Sequence, residues 1–229
     1  MEKIFLNDSH VEEVAERAAE VLRAGGVVLY PTDTLYGLGA DALSDEAVAK
    51  VYAIKGRDEK KPIHAIVADV SMMERYAKVN DLARELAKEF LPGPLTLILK
   101  KSAEGGSAFG GKWNGFNTGI GRNMDTIGFR IPDNEFCQTF ARAFGSPITT
   151  TSANMAGKRP EQTVDAVLAQ LQHSNIPKNV GMIDLIVDAG ELPACEPSTV
   201  VDLSGERPLI LREGAIPAAL IWDTLRSEL

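Results

Sequence analysis

Hydroxyl groups and glycines cluster in residues 30–39, directly after an apolar run that predicts a strand. The segment YPTDTLYGLG carries the hydroxyls of Thr32 and Thr34 and the carboxylate of Asp33. In open α/β sheets, ligands bind just beyond strand ends, and glycine lets a ligand approach the backbone. The glycine pair lacks the third glycine of a dinucleotide-binding fingerprint. A ligand-binding loop and an ordinary turn with Asx-type hydrogen bonds therefore both fit this segment.

Four cations lie within residues 55–61 (KGRDEKK) of an otherwise acidic chain. Arginine presents planar, forked donors and lysine presents a point charge. Both suit a polyphosphate, whose binding requires neutralisation of charge more than transfer of a proton. The same charges would also complement the carboxyl-terminal end of a preceding helix. The pattern leaves a phosphate clamp and a solvated helix end both open.

Two further groups of polar residues follow predicted strands. Residues 149–154 (TTTSAN) place four consecutive hydroxyls and the amide of Asn154 at a strand end. Hydroxyls both donate and accept hydrogen bonds, so this segment suits phosphate, ribose or a small zwitterion, or forms a solvated turn. Arg130 and Arg212 stand at the ends of apolar strands. An interior arginine needs an anionic partner, and a ligand carboxylate or phosphate would serve.

Composition disfavours several classes of function. The chain has 229 residues, 45% of them hydrophobic, which suffices for one substantial core. The net charge of −8 disfavours a broad nucleic-acid-binding surface. Two cysteines do not make a disulfide framework or a four-ligand zinc site, and three histidines disfavour catalysis by a histidine triad or a multi-histidine metal site. The polar first ten residues and the lack of a long apolar run predict a cytoplasmic protein without a membrane span.

Helical and strand periodicities alternate along the whole chain. Helices are predicted from a Ser9 cap to Leu22, from Ser44 or Asp45 to Ile54, at 71–76 and 81–90, from an Asp133 cap to Phe144, from Thr163 to Leu171 and after Pro217. Strands are predicted at 26–30, ended by Pro31, and at 63–67, 95–99, 127–131, 148–151, 185–187, 199–203 and 209–211. Residues 102–125 are rich in glycine and predict a long loop. The interleaving predicts an α/β fold: a single domain with a twisted mixed β-sheet and flanking helices.

The residues by themselves favour a site that works by positioning and electrostatics. The candidate loops carry cations, hydroxyls and glycines. They show no paired carboxylates, no nucleophile–histidine pair and no metal-ligand spacing. These features predict a nucleotide or phosphate site without a dedicated catalytic acid or base.

Seven motifs in this order resemble those of the YrdC/Sua5 family, the threonylcarbamoyl-AMP synthases. They are PTDTLYGLGADA (31–42), KGR (55–57), LPGPLTLIL (91–99), TIGFRIPD (126–133), TSAN (151–154), STVVD (198–202) and ILREGAI (210–216). The resemblance covers roughly residues 14–215 and implies one YrdC-like domain over 1–229, whose sheet surrounds a concave, basic cavity. It also implies the short form of the family, without an additional C-terminal domain.

The resemblance implies a nucleotidyltransferase that joins L-threonine, bicarbonate or CO2, and ATP. The expected products are L-threonylcarbamoyladenylate and pyrophosphate, and Mg2+ is expected to accompany ATP without protein ligands. The adenylate would pass to a separate transferase that forms N6-threonylcarbamoyladenosine in tRNA; direct binding of tRNA stays open. By similarity, threonine is assigned to Thr34, Arg130, Thr150 and Ser198. ATP is assigned to Lys55, Arg57, Lys61, Thr126, Ser152, Asn154, Pro160 and Arg212.

Several positions depart from the family pattern. Asp33 stands where glutamate is common, and Asp58 stands where proline is usual after KGR. The position of a usual strand histidine holds Ile66, with His64 two residues earlier on the same strand face, so His64 is a candidate substitute. Two other functions remain as alternatives: an RNA-binding module, against which the net charge argues, and a carbamoyl-adenylate transfer domain, which would be expected to have fused partner domains.

Overall fold

The computed structural model describes residues 1–6, 10–102, 117–172 and 182–226. The predicted cap Ser9 and much of the glycine-rich segment, residues 103–116, lie outside the described residues. The strands are β1 (Glu2–Phe5), β2 (Val28–Pro31), β3 (Tyr36–Gly39), β4 (His64–Ile66), β5 (Leu95–Lys100), β6 (Thr126–Arg130), β7 (Ile148–Thr150), β8 (Leu185–Asp188), β9 (Thr199–Asp202) and β10 (Leu209–Arg212). The helices are α1 (Val11–Arg23), α2 (Asp45–Lys55), α3 (Val70–Tyr76), α4 (Asp81–Phe90), α5 (Glu135–Phe144), α6 (Val164–Gln172) and α7 (Ala218–Arg226).

The strands of the described residues form two mixed sheets. One has the order β1-β8-β2-β3, and the other has the order β10-β9-β5-β6-β4-β7. The sheets meet where β3 approaches β7, through bridges between Gly37 and Ser152 and between Asp41 and Ile148. The backbone N–H of Leu38 also donates to the carbonyl of Thr151 across 3.0 Å. This junction brings the first polar segment of the chain beside the hydroxyl-rich one.

Side-chain caps fix the helix starts that matter for the site. Ser44 Oγ accepts from the N–H of Ala47 at 3.2 Å and begins α2, as predicted. At α5 the prediction of an Asp133 cap is wrong, because Asn134 Oδ1 accepts from the N–H of Cys137 at 3.0 Å. The N–H of Asp133 instead donates to Asp33 Oδ2 at 3.1 Å. The start of α5 is thereby tied to the first polar segment.

Sequence reasoning missed two strands, β1 and β3. Strand β1 is a largely exposed edge strand that pairs in parallel with β8, so it has no apolar signal of its own. Strand β3 is rich in glycine and is fully buried, because the Tyr30 ring covers its glycines. A Cβ atom at Gly39 would lie 2.8 Å from Tyr30 Cε1. Pro31 does not stop β2 but is its last residue, opposite Tyr36 of β3.

The core lies beneath these polar segments. Tyr30, Phe136 and Phe140 are fully buried there, and the rings of Tyr30 and Phe140 meet edge-on with centroids 5.7 Å apart. Helix α1 packs against α5 and covers this region. Within the described parts of the chain, none of the helices combines the length and apolar character needed to cross a bilayer. The predicted extent of the domain, residues 1–229, stays a prediction.

Gly214 is placed so that a side chain would disturb the entry to β9. A Cβ atom there would collide with the carbonyl oxygen of Pro197. We expect Gly214→Ala to lower the free energy of unfolding by roughly 1–3 kcal/mol, the usual cost of overpacking. Gly205→Ala is the matched control, because the nearest atom would lie at 3.7 Å. Urea denaturation of both variants checks this, and equal stabilities would contradict it.

Candidate active site

A cavity of about 160 Å3 receives residues from widely separated segments of the chain. Seven of the twelve predicted site residues line it: Thr34, Arg57, Arg130, Thr150, Ser152, Ser198 and Arg212. The four polar segments singled out in the sequence therefore converge on one place.

Ten lining residues were not assigned to a ligand, and Thr32, His64 and Thr96 are among them. Thr32 and Thr96 belong to the motifs at 31–42 and 91–99. Thr96 Oγ1 lies 2.9 Å from Ser198 Oγ, so the two buried hydroxyls are joined. The sequence offers one signal for Thr96, because it is a polar residue within the apolar strand of the motif at 91–99, and this strand pairs with β9, which begins directly after Ser198.

Five predicted ATP residues do not line the cavity: Lys55, Lys61, Thr126, Asn154 and Pro160. Lys61 and Pro160 are exposed, and Thr126 lies at the opposite end of β6 from Arg130. Lys55 and Asn154 are buried just behind the wall of the cavity. Contact of these five residues with ATP stays a prediction.

Lys55 supports the cavity wall from behind. It is 1% exposed, and its Nζ donates to the carbonyl of Ser152 and, at 3.3 Å, to Asn154 Oδ1. Asn154 Nδ2 in turn donates to the carbonyls of Met155 and Lys158. Burial and the nearby charge of Arg57 lower the pKa of Lys55 to about 7. The lysine therefore fixes the backbone at Ser152, whose side chain faces the cavity.

Arg130 is held in a buried network at one end of the cavity. Its Nη2 donates to Asp33 Oδ1 at 2.6 Å and its Nη1 donates to Thr34 Oγ1 at 2.9 Å. Its Nε also donates to the carbonyl of Gly93 at 3.3 Å. Breaking a buried pair by removing one partner costs roughly 3–5 kcal/mol. A ligand carboxylate at Arg130 would therefore share the guanidinium with Asp33.

Arg57 and Arg212 are held by neutral oxygen atoms. Arg57 Nη2 donates to the carbonyl of Pro62 at 3.1 Å. Arg212 donates to the carbonyl of Ser198 through Nε at 3.1 Å and Nη2 at 2.8 Å. Among the described residues neither arginine forms a salt bridge, and the residues that line the cavity include no aspartate or glutamate. Burial, with the charge of Arg130, lowers the pKa of Arg212. The uncompensated guanidiniums make the cavity receptive to an anion.

His64 faces the cavity from β4, opposite Thr150 of β7. Its ring packs on Gly128 of β6, where a Cβ atom would lie 2.6 Å from His64 Cδ2. Burial, followed by the charges of Arg212 and Arg57, lowers the pKa of His64 to about 4. The imidazole is therefore neutral at neutral pH.

Comparison with known proteins assigns the fold and the motifs to one family. The sequence profile of the Sua5/YciO/YrdC family, which carries the description "Telomere recombination", matches residues 20–214. The chain belongs to the Sua5/YciO/YrdC family. The YrdC/Sua5 resemblance predicted from the motifs is thereby confirmed.

Relatives from an archaeon and a mammal are similar to this chain over most of its length. A putative threonylcarbamoyl-AMP synthase of Methanocaldococcus jannaschii is 37% identical over 216 residues, which are 94% of this chain and 93% of that protein. The threonylcarbamoyl-AMP synthase of Bos taurus is 36% identical over 198 residues, which are 84% of this chain. The chain spans 64% of the length of the bovine protein.

Solved structures confirm the fold. P. abyssi Sua5 complexed with L-threonine superposes with a TM-score of 0.79 at 31% identity, over 98% of this chain and 60% of that one. E. coli YciO superposes with a TM-score of 0.74 at 27% identity, over 94% of this chain and 96% of that one. The predicted α/β fold of mixed β-structure with flanking helices is confirmed, and the described strands form two mixed sheets in place of the single sheet predicted.

The cavity of this Sua5/YciO/YrdC member does not itself supply a metal site. Mg2+ prefers carboxylate and other hard oxygen ligands. The cavity presents hydroxyls and guanidiniums, and the described residues contain no group of three or more His, Cys, Asp or Glu that could hold a metal ion. The donor set therefore does not fit a resident Mg2+ ion.

The supporting role of the buried Lys55 can be tested against the exposed Lys61, because substitution of either lysine removes one positive charge. We expect Lys55→Met to lower the free energy of unfolding by roughly 1–3 kcal/mol, because the buried carbonyl of Ser152 loses its donor. Lys61→Met, at an exposed position, should change stability by no more than about 0.5 kcal/mol. Thermal denaturation measures both, and a Lys55→Met variant as stable as wild type would refute the supporting role.

Proposed function

We propose that this chain is a threonylcarbamoyl-AMP synthase that forms L-threonylcarbamoyladenylate and pyrophosphate from L-threonine, bicarbonate or CO2, and ATP. The observation that carries the proposal is the convergence of Thr34, Arg57, Ser152, Ser198 and Arg212 on one cavity without a lining carboxylate. The names of the relatives and the L-threonine complex of P. abyssi Sua5 support the same activity.

The amino acid is proposed to occupy the hydroxyl-rich end of the cavity. Thr34 accepts from the guanidinium of Arg130 there, and Thr150 lines the same cavity. Arg130 would bind the threonine carboxylate while keeping its bond to Asp33, because a guanidinium has five N–H donors. The hydroxyls can both donate to and accept from the ammonium and the side-chain hydroxyl of threonine. This end of the site therefore selects an amino acid that carries a hydroxyl.

The phosphates of ATP are proposed to lie against Arg57 and Arg212. These guanidiniums have only carbonyl and hydroxyl partners in the described structure, so several negative charges would be compensated where they bind. Ser152 adds a hydroxyl donor on the wall that Lys55 supports. The arrangement suits a triphosphate whose leaving group gains charge during the reaction.

The chemistry then requires positioning more than proton transfer. The threonine ammonium loses a proton to solvent, and the resulting amine captures CO2 and releases a second proton to give a carbamate. A carbamate oxygen attacks the α-phosphorus, a new O–P bond forms, and the bond between the α-phosphorus and the bridging oxygen breaks to release pyrophosphate. The cavity holds the two reactants together and neutralises the charge that develops on the leaving group.

The proposed reaction also involves Mg2+, a second enzyme that consumes the product, and a cellular compartment. Mg2+ enters with ATP as part of the substrate, held by phosphate oxygens and water. A separate transferase consumes the adenylate to modify an adenosine in tRNA, because a mixed anhydride of this kind is an activated acyl donor. We place the reaction in the cytoplasm, where the free thiols of Cys137 and Cys195 would stay reduced.

Substrate dependence tests the proposed reaction directly. Incubation of the protein with ATP, L-threonine and bicarbonate should release pyrophosphate, measured with a coupled pyrophosphatase assay. L-Valine has the shape of threonine without its hydroxyl, so it should support release at least about tenfold more slowly, since a polar site rejects an analogue that leaves it unpaired. Pyrophosphate release that does not depend on threonine would show that the substrate is wrong.

The phosphate clamp is tested by removing one guanidinium at a time. Arg57→Ala and Arg212→Ala should each weaken ATP binding by roughly 1–3 kcal/mol, the scale of charge-assisted hydrogen bonds. Arg226→Ala is the control, because this exposed arginine pairs with Asp223 on α7, outside the cavity. Titration calorimetry gives the affinities. Wild-type affinity in both cavity variants would exclude the clamp.

A further inference from the structure

His64 occupies a position that the proposed reaction leaves without a role. It lines the cavity together with Arg57 and Arg212, and both guanidiniums act on its charge. Because its ring packs on Gly128, the strand beneath leaves room for the imidazole and keeps it in the cavity. The side chain is therefore held where a bound anion would meet the two arginines.

The groups around His64 carry positive charge or none. Arg57, in the segment after α2, and Arg212, on β10, line the same cavity as His64. Strand β6 contributes Gly128 under the ring and Arg130 farther along the strand. The charge of Arg130 is compensated by Asp33. Strand β7 contributes the hydroxyl of Thr150. Among the described residues that line the cavity there is no carboxylate, so a proton on the imidazole would meet like charge before the ligand binds.

Binding of a polyphosphate makes protonation of His64 favourable. Its negative charges compensate both guanidiniums and add an attractive field at the imidazole, which favours the protonated form. An imidazolium donates from both ring nitrogens, whereas the neutral ring donates from one. The same side chain can therefore be neutral in the free protein and cationic in the complex.

We propose that His64 takes up a proton from solvent when ATP binds against Arg57 and Arg212, and that the imidazolium then adds a positive charge to the phosphate clamp. The proton returns to solvent when the site is empty again. This inference rests on the proposed function, because it takes the ATP phosphates as the anion. It makes His64 a positioning and charge-balancing residue.

Imidazole 15N chemical shifts test the proposal, because the chain has only three histidines and His64→Gln assigns the signal. In the free protein the signal should remain that of a neutral ring down to about pH 5. Saturation with an ATP analogue that has a methylene group between its α- and β-phosphorus atoms should raise the midpoint by roughly three pH units, which is the shift needed for an imidazolium near neutral pH. The signal of His10, which precedes α1 and does not line the cavity, is the internal control.

A second measurement uses the proton balance of binding. Calorimetry of the analogue in two buffers of different ionisation enthalpy should show proton uptake by the wild-type protein, and His64→Gln should bind the analogue with that uptake lost. An unchanged midpoint or an uptake that persists in His64→Gln overturns the inference. Since threonine-dependent pyrophosphate release is measured separately, its survival in that case would leave the proposed function standing.

Discussion

The mutual repulsion of guanidinium groups is the constraint on which the site depends. Arg57, Arg130 and Arg212 face one cavity, and in the described structure Asp33 compensates only Arg130. Like charges in a partly dehydrated cavity raise the free energy of the empty protein, and the burial of the apolar core must offset that cost. An anion removes the repulsion when it binds. The repulsion between guanidiniums in the empty cavity therefore increases the affinity for phosphate.

Rigid attachment of each guanidinium makes this arrangement possible. Backbone carbonyls of Pro62 and Ser198 accept from Arg57 and Arg212, and these carbonyls belong to segments anchored at strand ends. Lys55 performs a comparable task for the wall at Ser152, because it donates to the carbonyl of that residue. The donors that would contact a ligand are therefore oriented before it arrives, which lowers the entropy cost of binding.

Much of the architecture could be predicted from local signals. The cap at Ser44 and the apolar runs of the central strands are properties of neighbouring residues, and the structure confirms them. Strand β3 could not be recognised, because its glycines are buried by the Tyr30 ring from another strand. The choice between Asp133 and Asn134 as the α5 cap depended likewise on a distant partner, the carboxylate of Asp33.

The sequence by itself determined the chemical character of the site, because residue types in short motifs decide charge and hydrogen-bonding capacity wherever the chain folds. Only the tertiary structure decided which of these residues face the ligand. Lys55 and Arg57 are two positions apart, yet Gly56 between them adopts a left-handed conformation with φ of 56° that turns the chain at the end of α2. One cation is therefore buried as a support and the other lines the cavity, and that division follows from a change of backbone direction that spacing along the chain does not reveal.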